Sequence, residues 1–316
     1  MTTNLPGDFL RRLEKIVPAG KLEDVLETFS QEPGAGFRVN TLLADRDAVL
    51  SSLREEGIIP EPLSWFEDAF WTRERRRLLE TEAYISNEIY VQNLSSMIPA
   101  LLLDPQPDER VLDLTAAPGS KTHEMACMME GRGELAAVEL VSPRFYKMKA
   151  LLRQHGASFV RTFKKNGELV WRYRPEYFDR VLLDAPCSTE GRFHVSEPET
   201  FSYWSRRKID EMARKQRRLL YSAVQCVRPG GVLVYSTCTF APEENEAMVD
   251  WALSKFGSGL AIDPIDLPIE NAVEPLSGWE GERFSDDVKG ALRVLPNERM
   301  EGFFVCRFRK TASTLE

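Results

Sequence analysis

Beyond residue 110, short runs of apolar residues alternate with longer segments in which apolar positions recur every three or four residues. Short apolar runs fit buried strands, and the three-to-four spacing fits helices that pack on a sheet with one face. Strands are predicted at the runs 110–114, 134–138, 159–162, 180–183, 231–235 and 302–308. The clearest intervening helices are predicted over 142–155 and 205–227. This alternation is typical of a parallel sheet, so the sequence predicts an α/β fold.

The first part of the chain has a different pattern. Apolar positions recur at helical spacing over 8–30, an alternating β-rich stretch follows at 37–43, and a helix is predicted over 47–56. The aromatic residues that come next are predicted to lie in the core rather than to form a stacking surface: Trp65, Phe66, Phe70 and Trp71. The pattern changes near Tyr84. We therefore expect a small α+β domain over residues 1–84 and a larger α/β domain over residues 85–316.

Composition limits the kinds of protein that the chain can be. No apolar run approaches the roughly 20 residues that cross a bilayer, and the first residues lack the segments of a secretion signal. We therefore expect a cytoplasmic protein with no membrane partner. The five cysteines are odd in number, and the nearest two, Cys226 and Cys238, are 12 residues apart. This spacing argues against a disulfide framework and against a zinc site, so no metal is expected.

The net charge of −8 argues against a protein that coats nucleic acid through bulk electrostatics. Two local basic clusters remain, one over Arg73–Arg77 and one over Arg206–Arg218. The default interpretation of such a cluster is a solvated surface, and contact with phosphates is the alternative.

The first strand of the α/β domain leads directly into a turn of small residues and then a helix. The turn consists of Thr115, Ala116, Ala117, Pro118, Gly119, Ser120, Lys121 and Thr122. It lacks both the Gly-x-x-x-x-Gly frame of a phosphate loop and the GxGxxG fingerprint of dinucleotide binding. Glu139 ends the next strand, 20 residues after Gly119, where an acid binds ribose hydroxyls. A ribose without a diphosphate cradle favours a nucleoside cofactor such as S-adenosyl-L-methionine; the alternative is a structural turn beside a solvated glutamate.

Two cysteines lie at the predicted carboxyl ends of strands. Asp184 and then Cys187 follow the strand over 180–183, and Cys238 follows the strand over 231–235. In open α/β sheets this edge is where ligands bind. Either cysteine alone is equally consistent with a buried structural thiol. Two thiols beside a nucleoside-cofactor turn favour a shared active site instead.

These segments resemble the Nol/Nop/Sun family of RNA cytosine-C5 methyltransferases. The resemblance is carried, in chain order, by FRVNT at 37–41, YVQ at 90–92, SSM at 95–97, VLDLTAAPGSKT at 111–122, LDAPCS at 183–188, YSTCT at 235–239, EENE at 243–246 and GFF at 302–304. Bacterial small-subunit rRNA methyltransferases are the most similar members. The resemblance implies a Rossmann-like, class I S-adenosyl-L-methionine methyltransferase fold for residues 85–316 and an RNA-binding N-terminal region.

The resemblance also implies the chemistry of the two thiols. Cys238 would be the nucleophile that adds to C6 of the cytosine, and Cys187 would assist release of the product. Asp184 would hold the N3/N4 edge of the base, and Lys121 would polarise or position it. The target cytidine must be unstacked to be reached. The implied partner is RNA, first a cytidine of 16S rRNA, with tRNA as the alternative.

The cofactor, S-adenosyl-L-methionine, would lie across residues 115–121 with Glu139 at its ribose, and Asp184 and Asn166 would also contact it. Asn166 stands where the family usually has an acid, so weaker adenine binding is expected there. Further departures are Asn93, the loop 192–198 without its Arg-Lys pair, and Asn297. The sequence also lacks the C-terminal extension of the longer family members.

Two other functions are consistent with parts of the sequence. A DNA cytosine methyltransferase would use Cys187 as its nucleophile, but the Thr237-Cys238 motif and the N-terminal region argue against it. A non-catalytic RNA-binding assembly factor could share the same scaffold. The presence of both thiols, of Asp184 and of Glu139 argues against that function.

Overall fold

A computed structural model describes residues 4–32 and 34–315 of the chain. Helices of these residues are α1 Gly7–Ile16, α2 Leu22–Thr28, α3 Arg46–Glu55, α4 Arg75–Leu78, α5 Glu82–Ile85, α6 Ile98–Leu103, α7 Ser120–Met128, α8 Ser142–Gln154, α9 Arg206–Cys226 and α10 Glu246–Phe256. Strands of the N-terminal part are β1 Ala35–Val39, β2 Glu61–Leu63, β3 Phe66–Thr72 and β4 Ile89–Val91. Strands of the remainder are β5 Arg110–Asp113, β6 Glu134–Val138, β7 Arg161–Phe163, β8 Phe178–Asp184, β9 Val227–Thr237, β10 Leu260–Ile262, β11 Ala272–Val273, β12 Gly278–Trp279, β13 Glu282–Arg283, β14 Leu292–Val294 and β15 Phe303–Lys310.

The larger sheet has the strand order β11-β14-β15-β9-β8-β5-β6-β7, and β10 pairs with β15. Strands β5 to β9 are mutually parallel, so the prediction of an α/β fold is confirmed. The run at 302–308 was expected to join as a parallel strand, and this expectation is wrong. Strand β15 is antiparallel to β9, with Phe304 opposite Thr237. An apolar run shows that a strand is buried but carries no information on its direction.

Packing on both faces explains why the central strands have continuous apolar runs. Along β8, Val181 and Leu183 face a core shared with α9 and α10, whereas Leu182 faces a second core formed with α6, α7 and α8. Because β5, β6, β8 and β9 are parallel, their carboxyl ends meet at one edge. In register, Asp184 lies opposite Ser236, which brings the two cysteine loops to the same place.

The N-terminal sheet has the order β2-β3-β1-β4 and is covered by α3. Phe37 of β1 stacks on Phe70 of β3, with ring centroids 5.6 Å apart. Trp71 is also buried, as expected of a core aromatic. Strand β4 lies beyond residue 84, so the sheet takes in chain past the boundary expected from the sequence.

Helices α1 and α2 pack on the larger domain rather than on the N-terminal sheet. Phe9 of α1 and Phe29, the residue after α2, pack against Phe193 and Phe240 of the larger domain. We call these four rings the N-terminal aromatic cluster. The ring centroids of Phe9 and Phe193 are 4.9 Å apart, and those of Phe29 and Phe240 are 6.3 Å apart. Within the described residues, no helix combines the length and the apolar character required to span a bilayer.

Candidate active site

The two candidate thiols lie side by side at the carboxyl edge of the sheet. Cys187 is in the loop after β8, Cys238 follows β9, and their Sγ atoms are 3.4 Å apart. Their hydrogen bond lowers the pKa of Cys238, and the charge of Arg192 lowers it further against the opposing effect of burial. The same hydrogen bond, together with burial, raises the pKa of Cys187 well above its usual value. The pair therefore favours a thiolate on Cys238 and a thiol on Cys187.

A buried polar network fixes the two cysteine loops to each other. The hydroxyls of Ser188 and Thr239 are 2.7 Å apart, and each is the residue directly after a cysteine. Glu244 accepts hydrogen bonds from the backbone N–H and the hydroxyl of Ser188. Burial raises the pKa of Glu244 to about 8. Glu190 accepts from Thr239 Oγ1 at 2.9 Å and from the Phe240 N–H at 3.0 Å, so it anchors the loop after Cys238.

Asp184 and Lys121 form an ion pair next to the thiols. Lys121 Nζ lies 2.8 Å from Asp184 Oδ2 and 2.6 Å from Ser96 Oγ. The other carboxylate oxygen of Asp184 accepts from Ser236 Oγ at 2.8 Å. The side chain of Lys121 is buried, whereas the carboxylate of Asp184 is partly open to solvent. This arrangement leaves a carboxylate edge with fixed orientation facing the site.

The turn after β5 has the shape of a cradle for a small ligand. Gly119 has φ 111° and precedes the first residue of α7, Ser120. The positive φ favours glycine at this position, and a Cβ here would also make a tight contact of 3.2 Å with Met148 Cγ in α8. Asp113 at the end of β5 accepts from Thr122 Oγ1 at 2.6 Å. Its Oδ1 is buried without a partner among the described residues, and burial raises its pKa to about 7.

Glu139 stands at the end of β6 beside an apolar surface. Its Oε1 accepts from the Val141 N–H at 2.7 Å, and its Oε2 lies 3.5 Å from Arg144 Nη1. Leu140 is 53 % exposed and Phe163, at the end of β7, is 42 % exposed. A nucleoside site requires apolar side chains on which the base can pack and a carboxylate that can accept hydrogen bonds from the ribose hydroxyls. These features fit the adenosine part of S-adenosyl-L-methionine.

Asn166 caps the short helical turn that begins at Gly167. Its Oδ1 accepts from the Glu168 N–H at 3.0 Å. An amide oxygen has two lone pairs, so one acceptor position is left for a ligand. The sequence predicted a weakened adenine contact at this residue, and that prediction stays untested.

A network of buried polar side chains joins the N-terminal sheet to the helix that follows the cofactor turn. Arg38 of β1 donates to the backbone oxygen of Ser120 at 3.1 Å and to Gln92 Oε1 at 3.2 Å. Gln92 in turn donates to Glu124 Oε2 at 2.9 Å. Arg38 and Gln92 belong to two of the segments that carry the family resemblance. Through their hydrogen bonds to Ser120 and Glu124 they hold α7 against the N-terminal sheet.

An open groove of about 1180 Å³ is lined in part by residues 191–194 of the loop after Cys187, although neither thiol lines it. Its lining includes the basic cluster Arg73–Arg77, the residues Gln92 and Asn93, the turn at Gly191 and the loop 296–301. The Gly191 N–H donates to the backbone oxygen of Cys238 at 3.0 Å, so one wall of the groove is hydrogen-bonded to the loop that carries Cys238. The second basic cluster on α9 does not line this groove.

Sequence reasoning did not assign roles to Ser188, Glu190, Arg192 or Glu244. Ser188 and Glu244 lie in two of the segments that carry the family resemblance, and Glu190 and Arg192 lie within five residues of Cys187. Within residues 4–32 and 34–315, no three His, Cys, Asp or Glu side chains converge as a metal site would need.

Comparison with known protein families gives two adjacent matches. Residues 100–309 match the family described as 16S rRNA methyltransferase RsmB/F. Residues 5–94 match the N-terminal domain of 16S rRNA methyltransferase RsmF. Together the two matches agree with the family resemblance noted in the sequence.

Curated relatives and solved structures extend these matches. Ribosomal RNA small subunit methyltransferase F of Pectobacterium carotovorum is 35 % identical over 318 residues, which covers 98 % of this chain and 63 % of that protein. The chain thus spans less than two thirds of that relative. The tRNA (cytosine(49)-C(5))-methyltransferase of Pyrococcus abyssi is 38 % identical and covers 87 % of each chain. A methyltransferase homologue from Pyrococcus horikoshii is 29 % identical with a TM-score of 0.82, over 97 % of this chain and 100 % of that one. The chain therefore belongs to the 16S rRNA methyltransferase RsmB/F family.

Proposed function

We propose that the chain is an S-adenosyl-L-methionine-dependent RNA methyltransferase that transfers a methyl group to C5 of a cytidine. The observation that carries the proposal is the thiol pair at 3.4 Å, with the thiolate favoured on Cys238. A C5 transfer needs a nucleophile that can add to the base and later leave, and a thiolate does both.

The cofactor site would use residues of three strand ends. The turn 115–121 would take the methionine part, Glu139 the ribose hydroxyls, and the apolar surface of Leu140 and Phe163 the adenine. When bound, S-adenosyl-L-methionine supplies a methyl group attached to a positively charged sulfur.

The reaction would begin at Cys238. Its thiolate adds to C6 and forms an S–C6 bond, which moves the C5–C6 electron pair onto C5. C5 would then accept a methyl group, which S-adenosyl-L-methionine held by residues 115–121 and Glu139 would supply, with the donor sulfur keeping the electron pair of the broken bond. A base removes the C5 proton, the C5–C6 double bond re-forms, and the S–C6 bond breaks to return the thiolate.

Three neighbours would support these steps. Asp184 would accept hydrogen bonds from the N3/N4 edge of the base, and Lys121 would keep that carboxylate oriented through their 2.8 Å ion pair. Cys187, as a thiol 3.4 Å away, would donate a hydrogen bond to the departing sulfur of Cys238. That contact would ease elimination without taking part in the attack.

The substrate that we propose is RNA with an unstacked cytidine, because C5 and C6 must face a thiol at the sheet edge. A cytidine of 16S rRNA is favoured by the match of both parts of the chain to rRNA methyltransferase families. A tRNA cytidine is the second candidate, because the match to the archaeal tRNA methyltransferase extends over 87 % of that protein as well as 87 % of this chain. We assign RNA binding to the N-terminal region, expected at residues 1–84, and methyl transfer to residues 85–316.

We place this activity in the cytoplasm. A nucleophilic thiol beside a second thiol must stay reduced to work, and the cytoplasm keeps thiols reduced.

The test is transfer of labelled methyl from S-adenosyl-L-methionine to purified 16S rRNA, to small ribosomal subunits, to tRNA and to DNA. Release of tritium from RNA that carries [5-³H]cytidine would identify C5 as the acceptor. We expect transfer to one of the RNA substrates together with tritium release. Labelled DNA with unlabelled RNA, or no transfer to any of the four, would overturn the proposal.

A further inference from the structure

The loop after Cys187 brings a positive charge to the nucleophile. Gly191 donates its N–H to the backbone oxygen of Cys238 at 3.0 Å. A Cβ on Gly191 would collide with the backbone oxygen of Gly302, so only glycine allows this approach. The next residue, Arg192, lines the groove.

Arg192 is paired with a carboxylate of the loop 296–301, which also lines the groove. Its Nε lies 3.0 Å from Glu301 Oε2, and its side chain is 50 % exposed. Glu301 is itself held in place, because its N–H donates to Asn93 Oδ1 at 3.2 Å. Arg192 is therefore ion-paired with Glu301 and follows the residue that is hydrogen-bonded to the backbone of Cys238, so its charge acts on both the Glu301 carboxylate and the Cys238 thiol.

We propose that Arg192 is a positioning residue whose charge favours the thiolate form of Cys238, and that Glu301 opposes it by sharing that charge. The proposal concerns the nucleophile assigned in the proposed function, so it rests on that assignment. It also accounts for a basic residue in a loop that lacks the Arg-Lys pair of the resembling family. The step that it supports is the attack on C6, which needs the thiolate.

The groups with the largest effects on the pKa of Cys238 act in defined directions. The hydrogen bond from Cys187 lowers the pKa of Cys238 most, and the charge of Arg192 also lowers it. Burial and the carboxylates of Asp184 and Glu301 raise it. In return, the charges of Cys238 and Glu301 raise the pKa of Arg192.

Neutralising each partner of the ion pair separates an electrostatic role from a structural one. Arg192→Met removes the positive charge and should raise the pKa of Cys238, whereas Glu301→Gln removes the opposing carboxylate and should lower it. A purely structural pair would respond in the same direction to both changes, because either change breaks the same contact. The double variant should lie close to the unchanged protein.

The measurement is the rate at which iodoacetamide alkylates Cys238 as a function of pH, followed by mass spectrometry of the peptide that contains it. We expect Arg192→Met to move the alkylation midpoint up by about half to one pH unit, since an opposite charge shifts a pKa by about 1–3 units when buried and less when solvated. Below the midpoint this is a roughly threefold to tenfold slower reaction. Arg192→Lys should retain most of the reactivity.

Arg207→Met is the matched control, because Arg207 is exposed on α9 and does not line the groove. Circular dichroism checks that each variant is folded, and Arg192→Lys with Glu301→Gln carries the test if Arg192→Met unfolds. Equal midpoints in all variants, or shifts of the same sign in Arg192→Met and Glu301→Gln, would overturn the inference. The assay contains no RNA and no cofactor. A chain that fails to methylate RNA but shows the opposite shifts would therefore refute the proposed function and keep this inference.

Discussion

The ammonium of Lys121 lies 2.8 Å from Asp184 Oδ2. Lys121 lies in the helix that follows β5 and Asp184 ends β8, so the ion pair joins two neighbouring parallel strands at their carboxyl edge. It orients a carboxylate that is open on one side, directly beside the two thiols. A hydrogen-bond acceptor with fixed geometry at this position is suited to a base edge that presents an amino group.

Asp184→Asn is expected to lower the rate of methyl transfer about 100-fold to 1000-fold, the range for losing one preorganised electrostatic contact at a reacting group. The amide keeps the shape of the side chain but presents a donor where an acceptor is needed. Single-turnover transfer of labelled methyl to RNA measures the effect. Asp210→Asn, on the exposed side of α9, is the control. A rate for Asp184→Asn within a factor of two of the unchanged protein would contradict the assignment.

The two cysteines are expected to differ when each is replaced by alanine. Cys238→Ala removes the attacking thiolate, so methyl transfer should fall to background and no covalent RNA adduct should form. Cys187→Ala leaves the attack intact but removes the thiol that assists departure, so a methylated enzyme–RNA adduct should accumulate. A band that resists SDS and carries labelled methyl is the measurement.

Cys226→Ala is the matched control, because Cys226 is a buried thiol at the end of α9, outside the site. Accumulation of the adduct in Cys238→Ala, with none in Cys187→Ala, would exchange the two roles and would favour the DNA-type assignment.

Glu139→Ala is expected to weaken S-adenosyl-L-methionine binding by about 1.5–3 kcal/mol, the range for hydrogen bonds to a charged group. The carboxylate is buried and already oriented by the Val141 N–H, so its loss cannot be replaced by a mobile neighbour. Titration calorimetry measures the affinity. Glu80→Ala is the control, because Glu80 is exposed and lines the groove whereas Glu139 does not, and this variant should bind S-adenosyl-L-methionine normally. Unchanged affinity in Glu139→Ala would remove this residue from the cofactor site.

The basic cluster Arg73–Arg77 lines the groove, and reversing its charge with Arg75→Glu and Arg76→Glu should raise the KM for RNA. It should also reduce the slope of log affinity against log salt by about one to two, roughly one for each phosphate that the protein no longer neutralises. Arg207→Glu with Arg214→Glu is the same change on α9, which does not line the groove, and should leave the slope unaltered. An effect confined to the α9 variant would move the RNA path to the other face of the sheet.

The stability of the site scaffold should depend on pH through Glu244. Burial raises its pKa to about 8 from an ordinary 4.5, so between these values the folded chain keeps a proton that the unfolded chain releases. The stability contributed by this proton is complete below pH 4.5 and is lost as the pH rises to about 8. Glu244→Gln should therefore flatten the fall in the free energy of unfolding between pH 5 and 8, by at most about 1.4 kcal/mol per pH unit.

Glu243→Gln, at the adjacent and more exposed carboxylate, is the control for that measurement. Thermal unfolding of both variants at matched pH values distinguishes them. Identical pH profiles for Glu244→Gln and the unchanged chain would show that Glu244 is ionised in the folded state.

The sheet and the position of the two thiols could be predicted because buried parallel strands are short and apolar throughout. The run that ends at Leu183 and the run that ends at Tyr235 each identify a strand, and the next polar residues must then lie at one edge. For the same reason the amino-acid pattern alone indicates that Asp184 and Cys238 lie near each other. Their catalytic roles stay predictions.

The groups that hold this edge together could not be predicted in the same way. Glu190 and Glu244 are charged residues in polar segments, and a charged residue in such a segment is normally solvated. Their burial depends on hydroxyl and backbone donors from the other cysteine loop, such as Thr239 and Ser188, which only the folded chain brings within reach. The direction of β15 was missed because one apolar run fits either orientation.

The N-terminal aromatic cluster has a consequence for how far the two matched regions can be separated. Phe193 follows Arg192, and Phe240 lies two residues after Cys238, yet Phe193 packs against Phe9 and Phe240 packs against Phe29. A shortened chain that begins at residue 35 would leave these rings exposed directly behind the reactive loops. Helices α1 and α2 are therefore expected to be needed for the packing of the loops that carry Cys187 and Cys238, and exchanging N-terminal regions between relatives would require exchanging these rings as well.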